Sequence, residues 1–180
     1  MSINSEFKVS KKIKKIFILT GRNVIKKKNT TLFINKFFKK DDKEIKIYVK
    51  KKFLPDIKEL TKIVYEIKSY KPDLIVAIGG GGIIDYSKIA NGVIHIKKID
   101  SILKKKVKFK KFTKLLTVPT TAGSGAEVTP GAVLYKNNIK YNLKDKCLIP
   151  DNYLLYPPLI EGTHRELKAS SIFDSLCQSI

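Results

Sequence analysis

Short runs of apolar residues along the chain predict strands that are buried on both faces. Such runs occupy residues 15–20, 74–78 and 114–118, and each is followed at once by glycine or proline. A continuous apolar strand is typical of a parallel sheet that helices cover on both sides. Residues 44–49 alternate between polar and apolar side chains and predict a further strand.

The segments between these strands carry apolar residues at helical spacing. This spacing predicts helices over residues 29–40, 55–70 and 83–93, the second of them opened by Pro55. Alternating strands and helices indicate an α/β fold with a doubly wound, Rossmann-like parallel sheet. The residues at helical spacing are Leu32, Phe33, Lys36, Phe37 and Lys40 in the first helix, and Ile57, Leu60, Ile63, Val64 and Ile67 in the second.

The last third of the chain follows a different pattern. Residues 131–135 and 140–143 predict two strands that Asn137-Asn138 join into a hairpin. The remaining predicted elements are a strand at residues 153–155 and a helix at residues 163–180.

Four consecutive glycines separate the third predicted strand from the helix that follows it, at residues 79–82. Without Cβ atoms the backbone can turn tightly and let a ligand approach closely. The amides and dipole at the start of a helix favour phosphate groups. The spacing matches neither the Gly-x-Gly-x-x-Gly turn nor the Walker A loop. On this segment alone, a phosphate site and a simple tight turn are equally good interpretations.

A second polar loop follows the next buried strand. It reads TVPTTAGSGAEVT and carries the hydroxyl groups of Thr120, Thr121 and Ser124 among small residues. Open α/β sheets bind ligands at the carboxyl ends of their strands. Because the two loops follow neighbouring predicted strands, we expect them to line one cleft.

Together the two segments resemble the iron-containing alcohol dehydrogenase family, whose fold is related to that of dehydroquinate synthase. The family pattern GGGSxxDxxK stands here as Gly79 to Gly82 with Asp85 and Lys88. The family pattern PTTAGTGSEVT stands here as PTTAGSGAEVT at residues 119–129. The resemblance covers residues 15–180 and implies an oxidoreductase that passes a hydride between NAD(P) and a small alcohol or aldehyde.

The resemblance also implies a role for individual residues. Gly80, Gly81 and Gly82 would cradle the pyrophosphate of the dinucleotide, and Lys140 would contact the ribose region. Asp174 would bind a divalent ion, Fe²⁺ or Zn²⁺, that polarises the substrate oxygen. The full set of predicted cofactor-binding residues is Gly21, Gly80, Gly81, Gly82, Asp85, Thr120, Thr121, Ser124 and Lys140.

The residue after the first strand bears on the choice between NADP(H) and NAD(H). Members of the family that prefer NAD often carry an aspartate there, and an acid would repel a 2′-phosphate. This chain has Gly21 followed by Arg22, which can accept that phosphate. The pair favours NADP(H).

The sequence departs from the family pattern at the metal site. Gln178 stands where the family has a histidine one helical turn after the aspartate, and an amide is a poorer ligand for Fe²⁺ or Zn²⁺. Cys177 would point about 100° away from Asp174 on the helix. The Asp174-to-Gln178 ending resembles a phosphonoacetaldehyde reductase subgroup, so phosphonoacetaldehyde is one candidate substrate.

The resemblance implies a cofactor-binding α/β domain at residues 1–160, with the hairpin near residues 131–143. Residues 161–180 would begin an all-helical metal-binding domain. We expect the 180-residue chain to be a fragment that is inactive on its own. A catalytically dead nucleotide-binding remnant is the alternative, and the resemblance leaves a homo-oligomer open.

The strongly basic composition suggests nucleic acid as a third kind of partner, since the formal net charge is +21. Arginine, however, occurs only at Arg22 and Arg165, and residues 115–180 carry six basic and six acidic side chains. Reading bases and gripping phosphates favour arginine over lysine. We therefore interpret the charge as a lysine-rich surface rather than a nucleic-acid-binding one.

The remaining composition favours a cytoplasmic protein. Two cysteines, Cys147 and Cys177, cannot form a disulfide framework. The N-terminal residues lack the apolar stretch of a signal peptide, and no apolar run approaches the ~18 residues that span a bilayer. His95 and His164 match no metal-ligand position of the family, and we interpret both as surface or helix-face residues.

Overall fold

The computed structural model describes residues 9–39, 42–52, 54–104, 107–161 and 165–179. Within these residues lie a five-stranded sheet, a two-stranded hairpin and five α-helices. In chain order the elements are β1 (Lys15–Gly21), α1 (Arg22–Ile25), α2 (Lys28–Phe37), β2 (Glu44–Lys50), α3 (Ile57–Tyr70), β3 (Leu74–Gly79), α4 (Gly81–Val93), β4 (Lys114–Pro119), β5 (Gly131–Lys136), β6 (Ile139–Lys144), β7 (Asn152–Tyr153) and α5 (Arg165–Ser179).

The large sheet is parallel throughout, with strand order β2-β1-β3-β4-β7. Its register brings the carboxyl ends of the strands to one edge, where Gly21 lies opposite Lys50 and Gly79 lies opposite Pro119. The predicted doubly wound α/β fold is confirmed. The same register brings together the four consecutive glycines at residues 79–82, called the glycine turn below, and the second polar loop at residues 117–129.

Both faces of the sheet are covered, which explains why its central strands are apolar without alternation. One face packs against α3 and α4, and Phe17, Leu19 and Ile75 belong to that core. The other face packs against α2, and Ile16 and Ile18 belong to that second core. Burial of apolar surface on both faces is the expected driving force for a sheet of this kind.

Helix α3 buries the apolar stripe that its spacing predicts. Leu60, Ile63 and Ile67 on this stripe are fully buried. Its predicted start at Pro55 is wrong by two residues. Asp56 caps the helix instead, and its carboxylate accepts the amides of Lys58 at 2.9 Å and Glu59 at 3.3 Å.

Two other predicted elements differ in detail from the structure. Helix α2 begins at Lys28 and buries Phe33 and Ile34, whereas Leu32 is 55% exposed, so the predicted face is wrong at that position. Lys40 lies outside the described residues. The strand predicted at residues 153–155 is β7, which stops pairing with β4 after Tyr153.

The predicted hairpin is confirmed, with Asn137 at φ 50° and Asn138 at φ 62°. Two consecutive left-handed residues form the tight turn that matches the twist of paired strands. Ala132, Leu134 and Leu143 are buried in the same core as α3 and α4. The hairpin therefore packs on the same side of the large sheet as α3 and α4.

Helix α5 lies against the second polar loop. A Cβ atom on Gly123, which has φ +147°, would come 2.2 Å from the carbonyl oxygen of Ser171. Only glycine allows this approach. In the described part of the chain, no helix has the length and apolar character needed to cross a membrane. The predicted domain boundary near residue 160 stays a prediction.

Candidate functional site

The strand order locates the candidate site before any side chain is considered. From β1 the chain moves outward to β2, and it then crosses back to add β3 on the other side of β1. Ligands of doubly wound sheets bind at such a reversal, outside the carboxyl ends of the two strands. Here those ends are Gly21 and Gly79.

The glycine turn leaves the start of α4 open to a ligand. Gly80 caps the helix and has no side chain to accept the first amides. Among the described residues, no acceptor contacts the amides of Gly81 and Gly82, whereas Ile83 donates to the Gly80 carbonyl at 2.9 Å. Helix α4 has 13 residues, and its dipole places partial positive charge at this end. The turn can therefore bind a phosphate group.

The second loop lies directly over the glycine turn. A Cβ atom on Gly80 would come 3.0 Å from Oγ1 of Thr121, and one on Gly81 would come 3.1 Å from Oγ of Ser124. Side chains at either glycine would fill the space between the loops. Thr121 and Ser124 thus lie against the glycine turn, and the two loops meet as the sequence predicts.

Thr120 differs from its neighbour. Its amide donates to the Gly79 carbonyl at 3.1 Å, which ties the second loop to the end of β3. The residue is buried, whereas Thr121 is partly exposed on the cleft side. Thr120 therefore supports the loop, and Thr121 presents its hydroxyl.

Lys88 on α4 holds the second loop through hydrogen bonds. Its side chain is 1% exposed, and Nζ donates to the carbonyls of Ala126 at 2.9 Å, Thr129 at 2.8 Å and Gly131. Burial lowers the pKa of Lys88, and the nearby carboxylates of Asp85 and Glu127 oppose that effect. One ammonium group thus binds two carbonyls of the second loop and one of β5.

Asp85 joins α4 to the hairpin. Its carboxylate is nearly buried, and Oδ2 accepts the amide of Val133 at 3.0 Å. Burial raises the pKa of Asp85 to about 6, against the lowering effects of the Val133 amide and of the charges on Lys88, Lys50 and Lys140. The contact gives Asp85 a structural partner beside the predicted cofactor site.

The raised pKa predicts a pH dependence of stability. The folded carboxyl holds its proton up to about pH 6, whereas the unfolded chain releases it near the ordinary value of 3.8. The contribution of this group to the free energy of unfolding should therefore fall between about pH 4 and pH 6, by about 3 kcal/mol. Urea unfolding of the unchanged chain and of Asp85→Asn across this range measures it. A difference between the two proteins that stays constant or rises with pH would contradict this assignment.

Two further predicted residues are Gly21, at the end of β1, and Lys140, on β6. Gly21 has φ −92°, and a Cβ atom there would make only ordinary contacts at 3.8 Å from Val24 and 3.9 Å from Ile83. A side chain is therefore tolerated at this position. Lys140 is exposed on β6, and its charge lowers the pKa of Asp85. Arg22 is exposed at the start of α1.

The predicted metal ligand lies on an exposed helix. Asp174 is on α5, as is Cys177, and the side chain of Gln178 lies outside the described residues, as does all of His164. Residues 9–39, 42–52, 54–104, 107–161 and 165–179 contain no group of three or more His, Cys, Asp and Glu side chains able to hold a metal ion. These residues do not form a complete metal site. His95 is exposed, and its ring nitrogen Nε2 contacts the Lys108 carbonyl.

Residues 2–157 match the family model of the iron-containing alcohol dehydrogenases. The chain belongs to the iron-containing alcohol dehydrogenase family. The match includes both loops of the candidate site and every strand of the large sheet. The resemblance carried by the two motif segments is thereby confirmed.

Individual members of the family are similar to the chain over part of their length. The alcohol dehydrogenase of Thermococcus barophilus is 32% identical over 134 residues, which cover 70% of this chain and 35% of that protein. The phosphonoacetaldehyde reductase of Streptomyces viridochromogenes is 32% identical over 123 residues, which cover 63% of this chain and 31% of that protein. The chain therefore spans about a third of the length of these relatives.

A solved structure shows the shared fold. NADH-dependent butanol dehydrogenase A from Thermotoga maritima superposes with a TM-score of 0.84 at 22% identity, over 92% of this chain and 42% of that one. The sheet and its flanking helices are therefore those of the family.

Three residues near the site are not apparent from sequence patterns. Lys50, Glu59 and Tyr86 meet beside the start of α4, and Glu59 accepts the hydroxyl of Tyr86 at 3.2 Å. Lys50 belongs to a run of lysines that the charge analysis assigned to the surface. The position of Lys50 at the carboxyl end of β2 could have indicated a binding role, because ligands of this fold bind at the carboxyl ends of the strands.

Proposed function

We propose that the chain forms the dinucleotide-binding portion of an NAD(P)-dependent alcohol dehydrogenase or aldehyde reductase. The observation that carries this proposal is the contact of the glycine turn with the second loop, at Gly80 with Thr121 and at Gly81 with Ser124. Family membership supports the same activity. It favours neither the catalytically dead remnant nor the nucleic-acid-binding alternative.

In this proposal the residues of the cleft bind and orient the cofactor. The amides of Gly81 and Gly82 donate to the pyrophosphate, and the hydroxyls of Thr121 and Ser124 fix its position. Lys88 holds the second loop in place through its three carbonyl contacts. Bound nicotinamide supplies or accepts the hydride.

The substrate and metal are finer parts of the proposal. A small alcohol or aldehyde is the proposed substrate, and similarity to a phosphonoacetaldehyde reductase supports phosphonoacetaldehyde as a candidate. Asp174 is the residue we propose as a ligand of Fe²⁺ or Zn²⁺. Because the described residues do not complete a metal site, we assign no catalytic step to the ion.

We expect the chain to bind NADPH more tightly than NADH. Gly21 carries no acid to repel a 2′-phosphate, and Arg22 beside it is exposed. Gly21→Asp should weaken NADPH binding by about tenfold or more and leave NADH binding within about twofold, because a carboxylate repels only the additional phosphate. The fluorescence of each reduced cofactor measures this without interference from tryptophan, which the chain lacks.

Gly21→Ala is the matched control, since it adds a Cβ atom without charge and should keep the NADPH preference. Tighter binding of NADH by the unchanged chain would overturn the NADP(H) assignment. Absence of binding for both cofactors by the folded chain would overturn the proposed function itself.

A further inference from the structure

A lysine at the carboxyl end of β2 lies beside the glycine turn. A Cβ atom on Gly82 would come 3.1 Å from Nζ of Lys50 and 3.3 Å from Cγ of Pro55. The absence of a side chain at Gly82 therefore leaves room for the ammonium group against the first turn of α4. A positive group at this position adds to the charge that the helix start already carries.

The ammonium of Lys50 lies over the aromatic ring of Tyr86. Its Nζ lies 5.3 Å from the ring centroid of Tyr86, which is fully buried. The Tyr86 hydroxyl lies between two acceptors, 3.1 Å from the Asp56 carbonyl and 3.2 Å from Oε2 of Glu59 in α3. The ring contact therefore places the ammonium against α4.

Two carboxylates lie near Lys50. Burial lowers the pKa of Lys50, and the charges of Glu59 and Asp85 act in the opposite direction. Glu59 also accepts the amide of Lys52 at 2.9 Å, and Asp85 accepts that of Val133 at 3.0 Å. A phosphate at the start of α4 would stabilise the half-buried ammonium further.

Resting on the proposed function, we propose that Lys50 binds the pyrophosphate of the dinucleotide through Nζ, together with the amides of Gly81 and Gly82. This contact would serve NADH and NADPH alike. It adds a side-chain cation to a turn that otherwise binds phosphate with backbone groups.

The position of Lys50 separates it from the 2′-phosphate of NADPH. Lys50 lies beside Gly82 and Tyr86 of α4, a helix that packs with α3 on one face of the sheet. Arg22 begins α1, whose Val24 and Ile25 pack on the opposite face with α2. The two cations therefore serve different phosphates.

Calorimetric titration of the full chain with ADP, and with adenosine as a probe without phosphate, tests this inference. Lys50→Met keeps an unbranched side chain over Tyr86 and removes the charge, so it should weaken ADP binding by about tenfold or more. Lys51→Met is the matched control, because the Lys51 side chain is exposed in the same lysine run, and it should change ADP binding by less than about twofold. Adenosine should bind all three proteins equally, and Lys50→Arg should retain ADP binding.

Equal ADP affinity for Lys50→Met and Lys51→Met would overturn the role of Lys50 while the proposed function stands. Loss of NADPH binding by Lys50→Met with NADH binding intact would also overturn it, because the lysine would then serve the 2′-phosphate. If the folded, unchanged chain binds neither ADP nor NADPH, the proposed function fails and this inference fails with it.

Discussion

Replacing Gly81 by valine should weaken ADP binding by about 100-fold or more. A Cβ atom at this position already comes 3.1 Å from Oγ of Ser124, so the branched side chain would crowd Ser124 and cover the amides at the start of α4. The loss corresponds to the hydrogen bonds that the amides of Gly81 and Gly82 would give a charged group. Calorimetric titration of the variant and the unchanged chain gives the two dissociation constants.

Gly131→Val is the matched control for this substitution. A Cβ atom on Gly131 meets no atom within 4 Å, and valine suits its position in β5. The control should bind ADP like the unchanged chain. If folded Gly81→Val bound ADP as tightly as Gly131→Val, the glycine turn would not be the phosphate site.

Replacing Lys88 by methionine should lower the free energy of unfolding by about 3 kcal/mol or more. The change leaves the carbonyls of Ala126, Thr129 and Gly131 without their shared donor, and Asp85 loses a neighbouring positive charge. Urea unfolding followed by circular dichroism measures this loss. The second loop should also lose its position over the glycine turn.

Lys144→Met provides the comparison, because Lys144 is exposed at the end of β6 and its replacement should change stability by less than about 0.5 kcal/mol. A Lys88→Met chain as stable as Lys144→Met would show that the three carbonyls do not depend on the ammonium. The anchoring role of Lys88 would then be wrong.

The central strands and the meeting of the two loops were predictable from local patterns. The run from Leu74 to Ile78 is apolar without alternation, which indicates a strand covered on both faces. Parallel strands end at one edge, so the register that sets Gly79 opposite Pro119 follows from the fold class. The hairpin was equally predictable, because asparagine tolerates the left-handed backbone that Asn137 and Asn138 adopt.

The parts that could not be predicted depend on contacts between distant residues. The carbonyl partners of Lys88 lie 38, 41 and 43 residues away along the chain, so its helical position alone does not reveal them. Lys50 reads as one lysine of a surface run until the fold places it beside Gly82. The prediction that Leu32 lies on the buried face of α2 was wrong, because the elements packed against a short helix decide which of its sides is buried.

The most direct test of the proposed phosphate site is calorimetric titration of the unchanged chain with ADP and with adenosine. A pyrophosphate site at the start of α4 predicts saturable binding of ADP, with adenosine weaker by about tenfold or more. It also predicts that Gly81→Val abolishes this difference between the two ligands. If the folded chain binds ADP no more tightly than adenosine, the glycine turn is not a phosphate site, and the proposed function is contradicted.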